Sequence, residues 1–263
     1  MSSFGASVRM SHIFRNDTGK TVMLALDHGM ALGPLHGLEK PRELLATLGP
    51  FVDSIMLNKG VLAQCIEPSI GAGIVLRVSG AATIAGPDIT AERLTTTVEE
   101  ALRLSVDAVA TSIFVGAESE HSSIAGLALL VDECHRYGMP VLGVTAVGKD
   151  REKGFDPRYL GLAVRVAAEM GADIIKTYYC ENGFEKVVEA AVGIPVVIAG
   201  GPQMENNLKV LETAEHAMRL GARGVDMGRN VWQSDDPLAM LKALRSIIHE
   251  GATAADAQGR FWG

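Results

Sequence analysis

Eight short runs rich in Val, Ile, Leu and Ala recur along the chain, and this repetition constrains the fold more than any other feature. The runs cover residues 21–27, 53–58, 74–79, 107–115, 140–146, 173–178, 194–199 and 224–227. They are near-continuously apolar rather than alternating, which is typical of strands that are buried on both faces of a parallel sheet. Because parallel strands need long crossover connections, we expect a helix between successive runs.

The segments between the runs carry helical periodicity. It is clearest at residues 157–170, where apolar side chains recur on one helical face. The same reasoning predicts helices at residues 40–48, 91–104, 122–137, 185–191, 205–220 and 237–249. Residues 62–73 are the weakest helical segment because proline and glycine interrupt them.

Eight strand-and-helix units within 263 residues predict a (β/α)8 TIM barrel, an α/β fold with a closed, eight-stranded parallel sheet. We expect one domain over residues 1–263, with residues 1–20 as an N-terminal extension. A doubly wound open sheet is the alternative, but the chain lacks the GxGxxG turn that such a fold carries after its first strand. We expect the tail at residues 252–263 to be frayed or to dock on a neighbouring molecule.

Composition excludes several classes of function. The formal net charge is −7 and no block of like charge occurs, which argues against nucleic acid as a partner. The apolar runs are far shorter than the roughly 20 residues of a membrane helix, and no secretory signal is visible, so we expect a cytoplasmic protein. The 3 cysteines lack CxxC spacing and the histidines lack HxH or HExxH spacing, so no metal site is predicted.

Active sites of these barrels lie at the carboxyl ends of the strands, where this chain becomes polar. Lys176 follows two isoleucines on the sixth run, and burial there would favour the neutral amine, which can attack a carbonyl and form an imine. The alternative is an inert lysine paired with Asp27 or Asp226. Asp27 ends the first run and is a candidate proton carrier or a structural partner of a cation. His28 shares that proton work or caps a loop.

Two loops fit the place where many barrels bind phosphate through backbone N–H groups. The first holds Gly200 and Gly201 after the seventh run; the second holds Gly228 and Arg229 after the eighth. We further expect contacts with the substrate from residues at the third and fifth runs, Arg77 and Thr145. Two other lysines at strand ends, which we expect to be solvated or to contact phosphate, are Lys59 and Lys149.

Several of these stretches together resemble the class I aldolase family of DeoC and FbaB type. They are LALDHG at 24–29, VLRVSG at 75–80, GKD at 148–150, AAEMGADIIKTYY at 167–179, VVIAGG at 196–201 and GVDMGRNVWQSDDP at 224–237. The likeness runs from about residue 20 to residue 250. It implies an imine-forming Lys176, a proton-handling Asp27 and a phosphate cradle made of Gly200, Gly201, Gly228 and Arg229.

The fifth run departs from the fructose-bisphosphate aldolases of that family. They carry WxYPRG with a proton-donating tyrosine, and Thr145 stands in its place here. A threonine hydroxyl is a poor general acid, which argues against simple fructose-bisphosphate cleavage. The stretch is similar instead to a thiolase subgroup that processes a phosphorylated autoinducer. That likeness implies cleavage of a phosphorylated dicarbonyl, release of dihydroxyacetone phosphate and transfer of acetyl to coenzyme A.

Coenzyme A enters only through this resemblance, as a possible acyl-accepting co-substrate, and we expect no bound cofactor. An ordinary class I aldolase acting on a ketose phosphate is the first alternative, and a non-catalytic sugar-phosphate-binding barrel is the second. A metal-dependent barrel enzyme is the least favoured. The family also implies a homo-oligomer in the form of a ring, such as a decamer.

Overall fold

The computed structural model describes residues 3–148 and 153–263 and confirms the predicted barrel. The eight parallel barrel strands follow one another around the barrel in chain order, and the first pairs with the eighth. In chain order they are Thr21–Ala25, Ser54–Asn58, Gly73–Arg77, Ala108–Val115, Val141–Val147, Ile174–Tyr178, Val196–Ala199 and Gly224–Met227. Lys149 and the last residue of the GKD motif lie outside the described residues.

The barrel closes where the first and eighth strands pair in parallel, from Thr21 beside Gly224 to Leu24 beside Met227. At this seam Gly224 has a φ of +147°, and a Cβ added there would lie 2.0 Å from the Thr21 carbonyl oxygen. Only glycine combines that backbone conformation with so close an approach. Closure therefore depends locally on this residue.

Helices cover the outside of the barrel and its two ends. The α-helices are Phe4–Ile13, Gly29–Leu32, Pro41–Leu48, Lys59–Cys65, Val98–Arg103, Glu120–Arg136, Pro157–Glu169, Phe184–Glu189, Asn207–Arg219, Arg229–Trp232, Pro237–Arg245 and Ala254–Trp262. Short 3-10 turns lie at Gly49–Phe51 and Lys153–Phe155, and a π-helical turn at Ser246–Glu250 extends the helix before it. None of the described helices is long and apolar enough to cross a membrane.

One predicted helix is wrong, and one of the two alternatives expected for the tail is excluded. Residues 91–104 are not one helix, because Arg93–Leu94 pairs with Ser79–Gly80 as a small antiparallel ribbon and the helix begins only at Val98. The β-branched threonines between the two segments disfavour helix, and the last of them caps the helix that follows. The tail at residues 252–263 is not frayed, since Ala254–Trp262 is a helix packed on two helices of its own chain.

The N-terminal helix Phe4–Ile13 closes the amino end of the barrel. Ile13 is fully buried among side chains of the barrel interior, and Met10 and Phe14 pack beside it. The helix approaches so closely that a Cβ on Gly73 would lie 2.4 Å from the carbonyl oxygen of His12. Among the described residues, this helix covers the amino end of the barrel, and an open cavity lies at the carboxyl end.

Aspartates that directly precede three of the strands stabilise the same amino end. Each accepts a hydrogen bond from a backbone N–H of the preceding barrel strand and pairs with a histidine. The pairs are Asp53 with His249 (2.7 Å), Asp107 with His12 (2.6 Å) and Asp173 with His135 (2.9 Å). These three histidines lie far from the mouth and serve the fold.

Candidate active site

An open cavity of about 270 Å³ occupies the carboxyl mouth of the barrel. All nine residues that the sequence nominated line it: Asp27, His28, Arg77, Thr145, Lys176, Gly200, Gly201, Gly228 and Arg229. Alternation along the strands explains much of this convergence. Ala25, Val75 and Ile174 belong to the cluster that fills the barrel interior, so the residues two positions further along face the same side.

Lys176 is 8 % exposed, and its Nζ lies 2.8 Å from Oδ2 of Asp226, a residue of the eighth strand that is 1 % exposed. The contact is a close ion pair, and apart from Lys176 no described residue donates a hydrogen bond to Asp226. Burial raises the pKa of Asp226, and the nearby lysine opposes that rise. The structure therefore gives Lys176 a buried carboxylate partner, one of the two that the sequence suggested, and the chemistry of this pair decides whether the lysine is inert.

Asp27 belongs to a second, separate network. Its Oδ2 accepts a hydrogen bond from Arg77 (3.2 Å), and the other terminal nitrogen of that guanidinium donates to both oxygens of Glu92 (2.8 and 2.9 Å). The same guanidinium also donates to Ser79 and Ser112. Burial would raise the pKa of Asp27, but the neighbouring cations, Arg77 first, hold it below its ordinary value.

Arg77 was expected to contact the substrate, yet its nitrogens are already engaged with protein groups. Thr145 borders the cavity, and its hydroxyl donates to the main-chain carbonyl of Lys176 (3.1 Å). Both side chains therefore hold neighbouring catalytic candidates in place. Of the two further strand-end lysines, Lys59 is exposed outside the cavity lining, where it donates to the Thr95 carbonyl (3.3 Å), and Lys149 is not described.

His28 lies between the two networks. Its Nδ1 is 3.5 Å from Oδ1 of Asp27, and its ring meets Trp232 edge-on at 5.6 Å between centroids. Burial lowers the pKa of His28 to about 4, despite the opposing carboxylate of Asp27. The imidazole is therefore neutral at neutral pH.

The two glycine loops meet through Asn230, which sequence reasoning did not single out. Its amide nitrogen donates to the carbonyls of Gly200 (2.7 Å) and Pro202 (3.1 Å), and its Oδ1 accepts from the backbone N–H of Met204 (2.8 Å). The loop after the seventh strand is thereby fixed to the short helix after the eighth. Beside them, Nε of Arg229 is buried without a partner among the described residues and can donate to an anion.

Sequence reasoning also missed Glu92 and weighed Asp226 only as a partner for lysine. Glu92 was hidden by the incorrect helix at 91–104. Asp226 carried a usable signal, because Val225 and Met227 belong to the outer core and the residue between them must face the barrel interior. Within residues 3–148 and 153–263 no three His, Cys, Asp or Glu side chains are grouped to hold a metal ion.

A buried lysine beside carboxylates at the mouth of a closed barrel, next to glycine loops, is an arrangement suited to carbonyl chemistry. The family model for DeoC/LacD family aldolases matches residues 21–234, and the chain belongs to this family.

Curated relatives match nearly the whole chain. An uncharacterized aldolase of Pasteurella multocida is 46 % identical over 97 % of this chain and 86 % of its own length. The 3-hydroxy-5-phosphonooxypentane-2,4-dione thiolase of Photorhabdus laumondii is 45 % identical over 98 % of this chain and 87 % of its own.

A solved structure of a Schiff-base-forming fructose-1,6-bisphosphate aldolase superposes with a TM-score of 0.84 at 26 % identity. The superposition covers 93 % of this chain and 100 % of the aldolase chain. The chain is thus an enzyme of the class I aldolase type.

Proposed function

We propose that this enzyme is a thiolase that cleaves a phosphorylated 2,4-dicarbonyl compound through an imine on Lys176 and passes the acyl group to coenzyme A. The observation that carries the proposal is the buried Lys176 amine, which lines the open cavity at the carboxyl end of the barrel beside the glycine loops. Relatives at 45 % identity bear the thiolase name, and a structural neighbour is a Schiff-base-forming aldolase. A 3-hydroxy-5-phosphonooxypentane-2,4-dione is the substrate that this family likeness favours.

The Lys176 amine attacks the C4 ketone, which lies next to the phosphorylated carbon, and water leaves to give an iminium. The thiolate of coenzyme A adds to the C2 ketone, and the C2–C3 bond breaks, so that its electron pair enters the iminium as an enamine. Protonation at C3 and hydrolysis of the imine then release dihydroxyacetone phosphate, while acetyl leaves as the thioester.

The phosphate would lie against the backbone of Gly200, Gly201 and Gly228, with Arg229 as a charged donor. This placement directs the ketone beside the phosphorylated carbon toward Lys176. An internal cysteine is a poor substitute for an external thiol, because burial raises the pKa of Cys180 to about 11. A protonated thiol is a weak nucleophile at neutral pH.

Cleavage of fructose-1,6-bisphosphate is the second candidate, supported by the structural neighbour. It needs an acid at the oxygen of the leaving aldehyde. The Thr145 hydroxyl is weakly acidic and already donates to the Lys176 carbonyl, which favours the thiolase instead.

Borohydride trapping with dihydroxyacetone phosphate, followed by peptide mass spectrometry, tests the imine. We expect a reduced adduct on Lys176 that disappears in Lys176→Arg and persists in Lys59→Arg, the matched lysine outside the cavity. Binding of dihydroxyacetone phosphate without any adduct would refute the imine. In a second arm, turnover of the dicarbonyl that does not depend on coenzyme A would refute the thiolase and leave an aldolase.

The remaining properties follow from the same likeness. We propose a homo-oligomeric ring in the cytoplasm that acts on a phosphorylated small molecule and needs no bound cofactor. Sedimentation as a monomer at micromolar concentration would refute the ring.

A further inference from the structure

The mouth of the barrel holds two carboxylates whose surroundings differ. Asp27 accepts a hydrogen bond from Arg77 and lies beside His28, and these partners hold its pKa below the ordinary value. Asp226 is more deeply buried, and apart from Lys176 no described residue donates a hydrogen bond to either of its oxygens. Its close neighbour is Nζ of Lys176, at 2.8 Å.

When one site holds two titratable groups, different surroundings move their pKa values apart. This separation decides which group acts as the acid and which as the base. A carboxylate fixed by arginine stays ionised through a reaction cycle. A buried carboxylate whose only charged contact is the reacting amine can take up a proton when that amine loses one, because protonation removes a buried charge.

We infer that Asp226 is a catalytic residue that takes the proton from the Lys176 ammonium and returns it to the departing oxygen during imine formation. The inference rests on the proposed imine at Lys176. It gives a function to an ion pair that otherwise reads as a static structural contact.

The proton count closes without an outside acid. The Lys176 ammonium gives one proton to Asp226, and the free amine forms the C–N bond while the carbonyl oxygen becomes an alkoxide. A second nitrogen proton moves to that oxygen and gives the carbinolamine hydroxyl. Asp226 then protonates the hydroxyl, water leaves, and the iminium keeps the last proton while Asp226 is again ionised.

Other groups in the cavity fit this role less well. Burial lowers the pKa of His28 to about 4, so the imidazole is neutral at neutral pH. A neutral imidazole is too weak an acid to protonate the carbinolamine hydroxyl. Asp27 is held ionised by Arg77, which also binds Glu92. The contact of Asp226 with Nζ is direct, whereas Asp27 has no hydrogen bond or ion pair with Nζ among the described contacts.

The experiment measures the single-turnover rate of imine formation with dihydroxyacetone phosphate, quenched by borohydride at successive times and pH values. We expect Asp226→Asn to lower this rate by about 100-fold at pH 7. In the pH profile of this variant, the change in rate that comes from ionisation of the Asp226 carboxylate should be absent. The Kd for dihydroxyacetone phosphate should change little. A merely structural carboxylate would move Kd and stability but not the shape of the pH profile.

A rate equal to or above that of the wild type in Asp226→Asn, with the same pH profile, would overturn the inference and identify an inert ion pair. If Asp226→Asn does not fold, Asp226→Ala is compared with and without added formate. Recovery of the rate with formate supports the inference, and no recovery overturns it. The two proposals fail separately: no adduct in the wild type refutes the imine itself, whereas an unaffected Asp226→Asn refutes only the proton role.

Discussion

Replacing Asn230 by alanine tests whether the two glycine loops act as one phosphate site. The side chain is almost fully buried and makes three hydrogen bonds with the backbone of residues 200, 202 and 204. A further side-chain contact between these segments is exposed, where Gln203 donates to the Gln233 carbonyl (3.0 Å), so the buried link between them depends on Asn230. Asn230→Ala should therefore weaken stability and phosphate binding together.

The magnitude follows from the lost contacts. A typical intramolecular hydrogen bond contributes about 1 kcal/mol net, so three give about 3 kcal/mol. For a domain of this size that loss lowers Tm by about 6–12 °C. Misalignment of the loops that removes about 1.4 kcal/mol of phosphate binding raises the Kd for dihydroxyacetone phosphate about tenfold.

Thermal unfolding and calorimetric titration with dihydroxyacetone phosphate measure the two effects. Asn206→Ala is the matched control, because Asn206 caps the nearby helix Asn207–Arg219 but has no contact with Gly200. That variant should lose about 1 kcal/mol of stability and keep its Kd. A normal Kd in Asn230→Ala despite a lowered Tm would refute the coupling of the loops to phosphate.

Two further predictions concern the mouth and the amino end of the barrel. In Gly228→Ala the new Cβ would lie 2.7 Å from the Ala25 carbonyl oxygen, so we expect a loss of about 1–3 kcal/mol and weaker borohydride trapping. Gly60→Ala, whose Cβ meets open space, should change neither. At the amino end, burial would raise the pKa of Asp53, but the hydrogen bond from His249 and the other partners hold it below the ordinary value. Its ionised form therefore stabilises the fold above about pH 4, and that contribution is lost as the pH falls through the depressed pKa. In denaturant titrations the gap between wild type and Asp53→Asn should be wide near pH 7 and close below about pH 4, and a constant gap would contradict this.

The positions of the strands and of the main site residues were predictable from the sequence because two local features mark them. Continuous apolar runs identify strands buried on both faces, and the barrel then brings the polar residue at the end of each run to a common mouth. Lys176 and Asp27 were found in this way. Their convergence needs no long-range information beyond closure of the sheet.

Contacts between loops were not predictable on the same grounds. Glu92 pairs with Arg77 across a ribbon whose two short strands are separated by twelve residues, and the local sequence there favoured a single helix. Asn230 lies on a four-residue helix that carries no periodic pattern. Such residues act through pairings in space, which one sequence read by local propensity does not reveal.

The carboxylates at the two ends of the barrel differ in how far their charge is compensated by hydrogen bonds. At the amino end Asp53, Asp107 and Asp173 each accept a backbone N–H and pair with a histidine, so the charge of these partly buried groups is compensated. At the mouth Asp226 is more deeply buried, yet its Oδ1 has no hydrogen-bond donor among the described residues and its Oδ2 meets the ammonium of Lys176. A buried acceptor without a hydrogen bond costs about 1–3 kcal/mol. The proposed proton role gives such a cost a reason, because donors fixed to both oxygens would lower the pKa of Asp226 and oppose its uptake of the proton from Lys176.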